Sequence, residues 1–326
     1  MQGRHHGHAS RIVAKKQFGQ NFLVDADVLA RIVDAITSVG IRELIEVGPG
    51  TGVLTAALLP HADHLTSVEF DRDLIPFLEK SFFNEPKFTL VQGDILLWSP
   101  EARSQKPEAR NQIQETKSKD QKDGNAPLPP QADKGGRGDS ELTTAHSPQP
   151  LAPYHLVGNI PYNLTTKLFE KILSWENKPA AITFLIQKEV AEKVTQKGGK
   201  NSPLALAAEI LGEAKLLFDV PPTAFQPQPK VMSSVIQILM KQEGRGTKEE
   251  KEQPTSCFLS PTSCLALYDF AHRLFRNPRK TLLNNLLAMM PKEKAVELME
   301  KTGLDPMVRP ERLSLDQMSR LEGMLK

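Results

Sequence analysis

Four consecutive residues, Asn159-Ile160-Pro161-Tyr162, carry groups that can hold an aromatic amine and the ring bearing it. The side-chain oxygen of Asn159 and the carbonyl of Ile160 can each accept one N–H of such an amine, and Tyr162 offers a face for stacking. The tetrad follows an apolar run, which would place it at the end of a strand. It indicates chemistry on a nucleobase, although the same residue types also form ordinary turns.

A glycine-rich turn follows an earlier apolar run, Leu44–Val47. The turn is Gly48-Pro49-Gly50-Thr51-Gly52, and a helical pattern begins at Val53, so the unit reads as strand, turn and helix. The dinucleotide fingerprint would need its third glycine at position 53. The tighter spacing suits a ligand without phosphates, such as S-adenosylmethionine, which needs only the close backbone approach that Gly48 and Gly50 permit.

Acidic residues end the next two apolar runs. Glu69 lies 19 residues after Gly50, where a carboxylate can accept both ribose hydroxyls, and Asp94 could accept from an adenine amine. Either acid alone is most often a solvated strand end or a helix cap. Because ligands of open parallel sheets lie beyond the carboxyl ends of the strands, Gly48, Glu69, Asp94 and Asn159 are expected to line one crevice.

The elements that must position these residues alternate along the chain. Apolar runs predict strands at 44–47, 65–68, 88–91, 155–157 and 182–186, with two more at 216–220 and 235–240, and helical spacing falls at 28–39, 74–80, 164–175 and 188–197. This alternation predicts an α/β fold, a parallel sheet flanked by helices. Helical patterns at 268–275, 281–289, 293–301 and 314–325 predict a small all-helical carboxyl-terminal domain.

The chain divides into four predicted parts. Residues 1–20 form a basic arm, 21–240 an α/β domain that carries the predicted S-adenosylmethionine crevice, 241–263 a linker and 264–326 a helical domain. Within the second part, residues 101–152 hold eight basic and eight acidic residues and almost no large apolar one, so they predict a disordered insertion.

Composition bounds the class of protein. The net charge is +2, yet the first 20 residues contain no acid, which suits a polyanionic partner, a solvated tail being the alternative. With only Cys257 and Cys264, the chain is unlike a disulfide framework or a zinc protein, and we expect no metal. No apolar run has the length of a membrane span, so we expect no membrane partner. We also expect a cytoplasmic protein that acts as a monomer. A transit peptide is harder to dismiss, since the arm is basic.

These residues resemble the S-adenosylmethionine-dependent ribosomal RNA adenine dimethyltransferases, and most closely their small-subunit (KsgA-type) branch. The resemblance covers about 270 residues in six blocks. The blocks are Lys16-Gln17-Phe18-Gly19-Gln20-Asn21-Phe22-Leu23, Glu46-Val47-Gly48-Pro49-Gly50, Gly158-Asn159-Ile160-Pro161-Tyr162-Asn163, Gln187-Lys188-Glu189-Val190, Phe225-Gln226-Pro227-Gln228-Pro229-Lys230-Val231 and Arg279-Lys280-Thr281-Leu282.

The resemblance implies a Rossmann-like methyltransferase that dimethylates adenine N6 in small-subunit ribosomal RNA, with the assembling small subunit as its partner. It adds Asn21 and Leu23 to the cofactor pocket, and it places Phe184 beside the target base, opposite Tyr162. The expected RNA-binding residues are basic and lie in the arm and the helical tail: Lys15, Lys16, Arg273, Arg276, Arg279 and Lys280.

The chain departs from the family pattern in three places. The family usually has a short loop in place of residues 101–152, the Tyr-Gly-Arg usual before Leu204 is missing, and Pro278 interrupts the basic run of the tail. Two kinds of related protein remain as alternatives. One is a large-subunit methyltransferase that confers antibiotic resistance, and the other is a non-catalytic RNA-binding or transcription-associated relative. A nicotinamide oxidoreductase is disfavoured by the glycine spacing.

Overall fold

The computed structural model describes residues 14–15, 19–101, 152–195, 201–240 and 261–325. The predictions for most of the basic arm, for the interior of the insertion 101–152 and for most of the linker 241–263 lie outside these residues. Residues up to 98 and from 152 onward belong to one compact unit, and 99–151 belong to a second. Everything below concerns the first unit.

A seven-stranded sheet forms the centre of this unit. Its strands are β2 Glu43–Val47, β3 His64–Glu69, β4 Phe88–Gln92, β5 His155–Asn159, β6 Ala181–Gln187, β7 Glu213–Val220 and β9 Ser233–Leu239. The order across the sheet is β4-β3-β2-β5-β6-β9-β7. The first five strands are parallel, and β9 runs antiparallel to both β6 and β7. This arrangement confirms the predicted Rossmann-like α/β fold.

Helices cover both faces of the sheet. They are α1 Ala26–Thr37, α2 Val53–Leu58, α3 Ile75–Ser81, α4 Thr165–Ser174, α5 Lys188–Val194 and α6 Pro203–Leu211. Helices α1 and α2 share one core cluster with Val157 and Leu185. Adjacent strand residues point to opposite faces, so Phe184 points the other way, and it packs against Phe169 of α4. Helix α4 therefore covers the face opposite α1 and α2.

Helix α1 illustrates how the sequence specifies an element. Asp25 caps its first turn by accepting from the backbone N–H groups of Asp27 and Val28, each at 3.0 Å. Its buried residues, including Val28, Ile32 and Ile36, recur at helical spacing and face the sheet. The helical pattern predicted from 28 to 39 is thus an amphipathic helix lying on the core.

The carboxyl-terminal region is helical, as predicted. Its helices are α7 Pro261–Leu274, α8 Leu282–Leu286, α9 Lys292–Thr302 and α10 Leu315–Gly323, and α7 packs on α4 and α6. Helix α7 begins three residues before the expected boundary at 264. Among the helices that the structure describes, none combines the length and the apolar character needed to cross a bilayer.

Two features of the fold, a helix and a pair of short strands, escaped the sequence analysis. Helix α6 is buried around its whole circumference, so it has no polar face and no amphipathic period to detect. Its cap, Ser202 followed by Pro203, is the signal that could have revealed it. The second is a two-stranded sheet formed by β1 Phe22–Leu23 and β8 Phe225–Gln226, strands too short to leave a pattern. It anchors the amino-terminal segment to the loop before β9.

Candidate active site

A pocket of about 320 Å³ lies at the carboxyl ends of β2, β3, β4 and β5. Parallel strands bring their carboxyl ends to one edge, so four segments distant in sequence meet there. The lining includes ten residues that the sequence analysis selected for the cofactor or for catalysis: Asn21, Leu23, Gly48, Gly50, Glu69, Asp94, Asn159, Ile160, Pro161 and Tyr162.

The glycine-rich turn forms the floor between β2 and α2. Gly48 and Gly50 have φ angles of 66° and 59°, in the left-handed region that other residues adopt at a cost. A Cβ on Gly50 would also lie 3.1 Å from the Phe22 ring. Glycine is needed here both for the backbone conformation and for the close approach of the amino-terminal segment.

Glu69 presents a buried carboxylate at the end of β3. Its Oε2 accepts the N–H of Gly50 at 3.1 Å and its Oε1 accepts the N–H of Asp71 at 2.7 Å. Burial raises the pKa of Glu69, and these backbone hydrogen bonds oppose that rise. Each oxygen retains a lone pair, so the carboxylate is held in a fixed orientation and can still accept from two ligand hydroxyls.

Asp94 follows β4 and belongs to a local turn. Its Oδ1 accepts the N–H of Leu96 at 2.9 Å, and its own carbonyl accepts from Leu97 and Trp98. The turn fixes the side chain, which lines the pocket and keeps its second oxygen for a ligand donor. Asp94 can therefore stabilise the turn and also accept a hydrogen bond from a ligand amine, so the two interpretations are compatible.

The orientation of the Asn159 amide is determined by a neighbour distant in sequence. Its Nδ2 donates to the backbone carbonyl of Asn21 at 2.9 Å. A carbonyl oxygen can only accept, so the amide nitrogen must face Asn21. This leaves Oδ1 as the acceptor that Asn159 offers to the pocket, which is the polarity needed to hold an amine hydrogen.

Gly158 allows the strand carrying Asn159 to approach β2 closely. A Cβ at this position would lie 2.6 Å from the carbonyl oxygen of Val47, a separation that real Cβ atoms do not reach. Any other residue would push β5 away from the glycine-rich turn. The glycine before the tetrad thus sets the distance between the two halves of the pocket.

The rest of the tetrad is also anchored. The Ile160 N–H donates to Leu185 on β6 at 3.0 Å, and the Pro161 carbonyl accepts from Leu164 in the turn that leads to α4. The Tyr162 hydroxyl and the Ser233 hydroxyl are 2.8 Å apart. Burial raises the pKa of Tyr162, so the phenol stays neutral and its ring is held at the pocket wall.

A second buried carboxylate, Glu46, lies at the floor of the pocket. One oxygen accepts from the hydroxyls of Thr55 at 2.6 Å and Ser67 at 2.7 Å, which joins β2, α2 and β3. Burial raises the pKa of Glu46 to about 7, and the negative charge of Glu69 adds to the rise. Glu46 braces the elements that carry the glycine-rich turn, a role the sequence analysis did not assign.

Phe184 lies elsewhere than expected. It is 0% exposed, packs edge to face against Phe169 at 6.1 Å between ring centroids, and is absent from the residues lining the pocket. Its neighbour Leu185 lines the pocket instead, because adjacent strand residues point to opposite faces. In this structure Phe184 is a core residue, and the expectation that it stands opposite Tyr162 is corrected.

The residues expected to bind RNA are distributed differently. Lys16 lies outside the described residues, and Lys15 forms ion pairs with Asp71 at 2.5 Å and Asp73 at 2.6 Å. The four basic residues of the tail are exposed at the end of α7 and in the turn that follows, apart from the pocket lining: Arg273, Arg276, Arg279 and Lys280. Their RNA-binding role stays a prediction.

Sequence reasoning gave no role to six polar residues of the pocket lining, which are Gln20, Glu46, Thr51, Asp71, Asn163 and Lys167. Asp71 and Gln20 line it and hydrogen bond to each other, and Lys167 on α4 lines it beside the tetrad. Asp71 stands two residues after Glu69, so its position in the turn after β3 was the available signal. Among the described residues, no cluster of His, Cys, Asp and Glu has the geometry of a metal site.

The pocket fits S-adenosylmethionine. Its volume is within the range of about 300 to 1,000 Å³ that is usual for small-molecule sites. The glycine-rich turn allows close approach of a ligand, the Glu69 carboxylate matches ribose hydroxyls, and Asp94 matches an adenine amine. The amide oxygen of Asn159 lies in the same lining and provides a place for the acceptor of the methyl group.

Comparison with known proteins agrees with this geometry. The family model described as ribosomal RNA adenine dimethylase matches residues 12–326. The protein named Ribosomal RNA small subunit methyltransferase A from Hahella chejuensis is 31% identical, over 98% of this chain and 95% of its own length. Its namesake from Acinetobacter baylyi is also 31% identical, over 93% of this chain and 89% of that protein.

Two solved structures share the fold. A dimethyladenosine transferase from Plasmodium falciparum has a TM-score of 0.60 and 19% identity, over 92% of this chain and 95% of that one. The 23S rRNA methyltransferase ErmE has a TM-score of 0.56 and 22% identity, over 94% of this chain and 99% of that one. At such identities the likeness concerns the fold alone, whereas the family match spans nearly the whole sequence. The chain belongs to the ribosomal RNA adenine dimethylase family, whose methyl donor is S-adenosylmethionine.

Proposed function

We propose that the protein transfers methyl groups from S-adenosylmethionine to N6 of adenines in small-subunit ribosomal RNA, dimethylating two adjacent adenines while the subunit assembles. The observation that carries the proposal is the fixed Asn159 amide, whose nitrogen faces Asn21 and whose oxygen is left for a substrate amine. Relatives that are about 31% identical over most of the chain and are named for small-subunit RNA support the choice of substrate.

The tetrad would activate the amine by accepting its hydrogens. The lone pair of adenine N6 is delocalised into the ring, so the nitrogen is a poor nucleophile until both hydrogens are drawn toward acceptors and it becomes more pyramidal. Asn159 Oδ1 and the Ile160 carbonyl are the proposed acceptors, and Tyr162 would hold the base by stacking. When bound, S-adenosylmethionine supplies an electrophilic methyl group on a good leaving group.

The residues on the donor side of the pocket have complementary proposed roles. Glu69 and Asp94 would orient the ligand through its hydroxyls and its amine, Gly48 and Gly50 would admit it, and Asn21 and Leu23 would close the remaining wall. A second transfer requires the monomethylated amine to rotate between the acceptors. The nitrogen becomes a cation as it takes the methyl group and then loses one of its hydrogens to solvent as a proton. Methyl transfer therefore needs no strong general base, and pH should act on this enzyme mainly through its folding.

Exposed basic residues of the tail form the proposed RNA-docking surface. Arg273, Arg276, Arg279 and Lys280 lie on and after the last turn of α7, where their charges can meet phosphates of folded RNA. Lys167 brings a positive charge to the pocket lining beside the tetrad. We propose that it meets the phosphate next to the target nucleotide.

One assay tests the substrate assignment. Purified protein and labelled S-adenosylmethionine are incubated with unmethylated small subunits, large subunits and naked RNA, and the product nucleosides are identified by mass spectrometry. We expect N6,N6-dimethyladenosine in small-subunit RNA alone. Label confined to large-subunit RNA would favour the resistance-type alternative, and protein that binds no S-adenosylmethionine would favour the non-catalytic one.

We further propose that the enzyme acts as a cytoplasmic monomer, with the helical region from 264 as its RNA-docking domain. Small ribosomal subunits present a large folded surface, which one copy can engage through the pocket and the tail together. Light scattering of the purified protein and fractionation of cells test these two points. A stable dimer would contradict the first, and enrichment in an organelle fraction would contradict the second.

A further inference from the structure

We infer that Asp71 is a positioning residue that holds the amino-terminal segment, defined as Ala14–Lys15 and Gly19–Leu23, as a wall of the methyl-donor pocket. The inference rests on the proposed cofactor site and adds a residue to it. Asp71 lies in the turn after β3, lines the pocket, and its side chain is only 4% exposed. A carboxylate so deeply buried requires partners. Both side chains that donate to it, Lys15 and Gln20, come from this segment, and the N–H of Asp73 in its own turn donates to Oδ1 at 3.1 Å.

The contacts form a bridge. Gln20 Nε2 donates to Asp71 Oδ2 at 2.9 Å, Lys15 Nζ lies 2.5 Å from Oδ1, and the Lys15 N–H donates to Gln20 Oε1 at 2.8 Å. Burial by itself would raise the pKa of Asp71, but the hydrogen bonds from Lys15 and Gln20 outweigh it and keep that pKa below its usual value. The carboxylate is thus ionised and matched on both oxygens.

The same residue is joined to the ribose side of the pocket. The Asp71 N–H donates to Glu69 Oε1 at 2.7 Å, so one residue fixes both the Glu69 carboxylate and the segment opposite it. Next along the segment from Gln20, the Asn21 carbonyl accepts from Asn159. Asp71, Gln20, Asn21 and Asn159 therefore form a continuous path from the cofactor carboxylate to the proposed catalytic amide.

This placement changes the expectation for Lys15. Its ammonium group lies between two carboxylates, Asp71 and Asp73, which neutralise the charge that would attract RNA. Hydrogen bonds to these two carboxylates raise the pKa of Lys15, so it stays a cation throughout the working range. Lys15 serves the cofactor wall in this arrangement, and RNA attraction falls to other basic residues.

The consequence concerns ligand affinity more than the chemical step. Without the Asp71 carboxylate, the amino-terminal segment loses its charged anchor but keeps the β1–β8 pairing. We therefore expect this wall of the pocket to become less ordered, while Asn159-Ile160-Pro161-Tyr162 keep their positions. We expect Asp71→Ala to weaken S-adenosylmethionine binding about ten- to hundredfold, the usual range for hydrogen bonds to a charged group. The turnover rate at saturating cofactor should change by less than about threefold, since the acceptors of the amine are retained.

Isothermal calorimetry with S-adenosylmethionine, without RNA, measures this effect, and methylation kinetics supply the KM and kcat. Gln20→Ala should weaken binding in the same direction, and the double variant with Asp71→Ala should bind no worse than Asp71→Ala alone, because both residues act through the same bridge to Lys15. Asp63→Ala is the matched control, since Asp63 forms an ion pair of 2.7 Å with Arg42 away from the pocket. It should bind the cofactor as the wild type does.

Asp71→Asn, which retains the shape and one acceptor, should give an intermediate affinity and serves if Asp71→Ala does not fold. Cofactor binding within about twofold of the wild type by both Asp71 variants would overturn the inference, since one lost charged hydrogen bond exceeds that change. Additive effects of Gln20→Ala and Asp71→Ala would also overturn it. A wild-type protein that binds no cofactor would instead overturn the proposed function, and this inference with it.

Discussion

The pocket and the basic surface of the tail differ in how their polar groups are held. Around the pocket, Glu46, Glu69, Asp71 and Asn159 each form hydrogen bonds at defined distances to backbone or side-chain partners. The basic residues at the end of α7 are exposed. Transfer of a methyl group depends on sub-ångström placement, whereas attraction of a polyanion acts over a Debye length of about 8 Å at physiological salt. The difference predicts that single substitutions act steeply in the pocket and weakly in the tail.

Replacement of Asn159 tests the contrast between the pocket and the tail most directly. Asn159→Ala removes the proposed acceptor for the amine and the bond to Asn21, and we expect the turnover rate to fall at least about 100-fold with only a modest loss of cofactor affinity. Single-turnover methylation and calorimetry measure the two quantities. Asn84→Ala, an exposed amide in the turn after α3, is the control. Near-normal turnover by Asn159→Ala would contradict the mechanism.

Glu46, the buried acid at the floor of the pocket, gives the next largest effect, and that effect is on stability. Glu46 has a pKa of about 7 when folded and an ordinary value of 4.5. The folded state therefore binds the proton more tightly, and stability due to this group is present below about pH 4.5 and is lost as pH rises through 7. The shift corresponds to a loss of roughly 3 kcal/mol across that window.

Glu46→Gln keeps an acceptor for Thr55 and Ser67 and removes the titration. Denaturant unfolding of both proteins at pH 5 and pH 8 should show a smaller loss of stability for the variant. An identical pH dependence in the two proteins would mean that the carboxylate is not buried as described.

His155 acts in the opposite sense, because burial lowers its pKa to about 3 and its share of the stability is lost as pH falls from about 6.5.

Tyr162 separates stacking from anchoring. Tyr162→Ala should weaken RNA methylation by about 1 to 3 kcal/mol through lost stacking. Tyr162→Phe keeps the ring and loses only the hydroxyl contact with Ser233, so it should lose less, about 0.5 to 1.5 kcal/mol. Values of kcat/KM for RNA under single-turnover conditions compare them. Equal losses in the two variants would show that the contribution of Tyr162 to RNA methylation comes from its hydroxyl and not from stacking by its ring.

The tail should give the smallest effect for each residue. Arg279→Ala and Lys280→Ala should each lower the slope of log affinity against log salt by up to about one unit, with turnover at saturating RNA unchanged. RNA binding at several salt concentrations measures the slope, with Lys215→Ala on β7 as the control. A loss of turnover that persists at saturating RNA would mean that these tail residues affect the methyl-transfer step. The contrast between the pocket and the tail would then not hold.

Much of the fold was predictable from local patterns. The apolar runs that became β2 to β6 are nearly continuous because both faces of a parallel strand are buried, and turn residues separate them. Helix α1 showed its cap and its period. Helix α6 was missed because a helix buried all round has no period, and β1 and β8 were missed because their stability comes entirely from pairing across some 200 residues of sequence.

The candidate site was also partly predictable. Gly48, Glu69, Asp94 and Asn159 each lie at the end of a strand or within two residues after it. The rule for parallel sheets joins them without further information. Phe184 was misplaced because a resemblance carries the identity of a residue and does not say which face of its strand it takes. Asp71 and Gln20 were missed because each is ordinary by itself, and only their contact gives them a role.

The sequence by itself determined the chemistry of this protein, because residue types and their spacing specify which donors and acceptors stand at the ends of strands. It specified the tetrad, the glycine-rich turn, the acids that follow it and the family to which they belong. The tertiary structure alone decided how those groups are oriented. Hydrogen bonds between distant segments turn the Asn159 amide, seat the amino-terminal segment on Asp71 and pair Lys15 with two carboxylates. No local pattern records a partner that lies far along the chain.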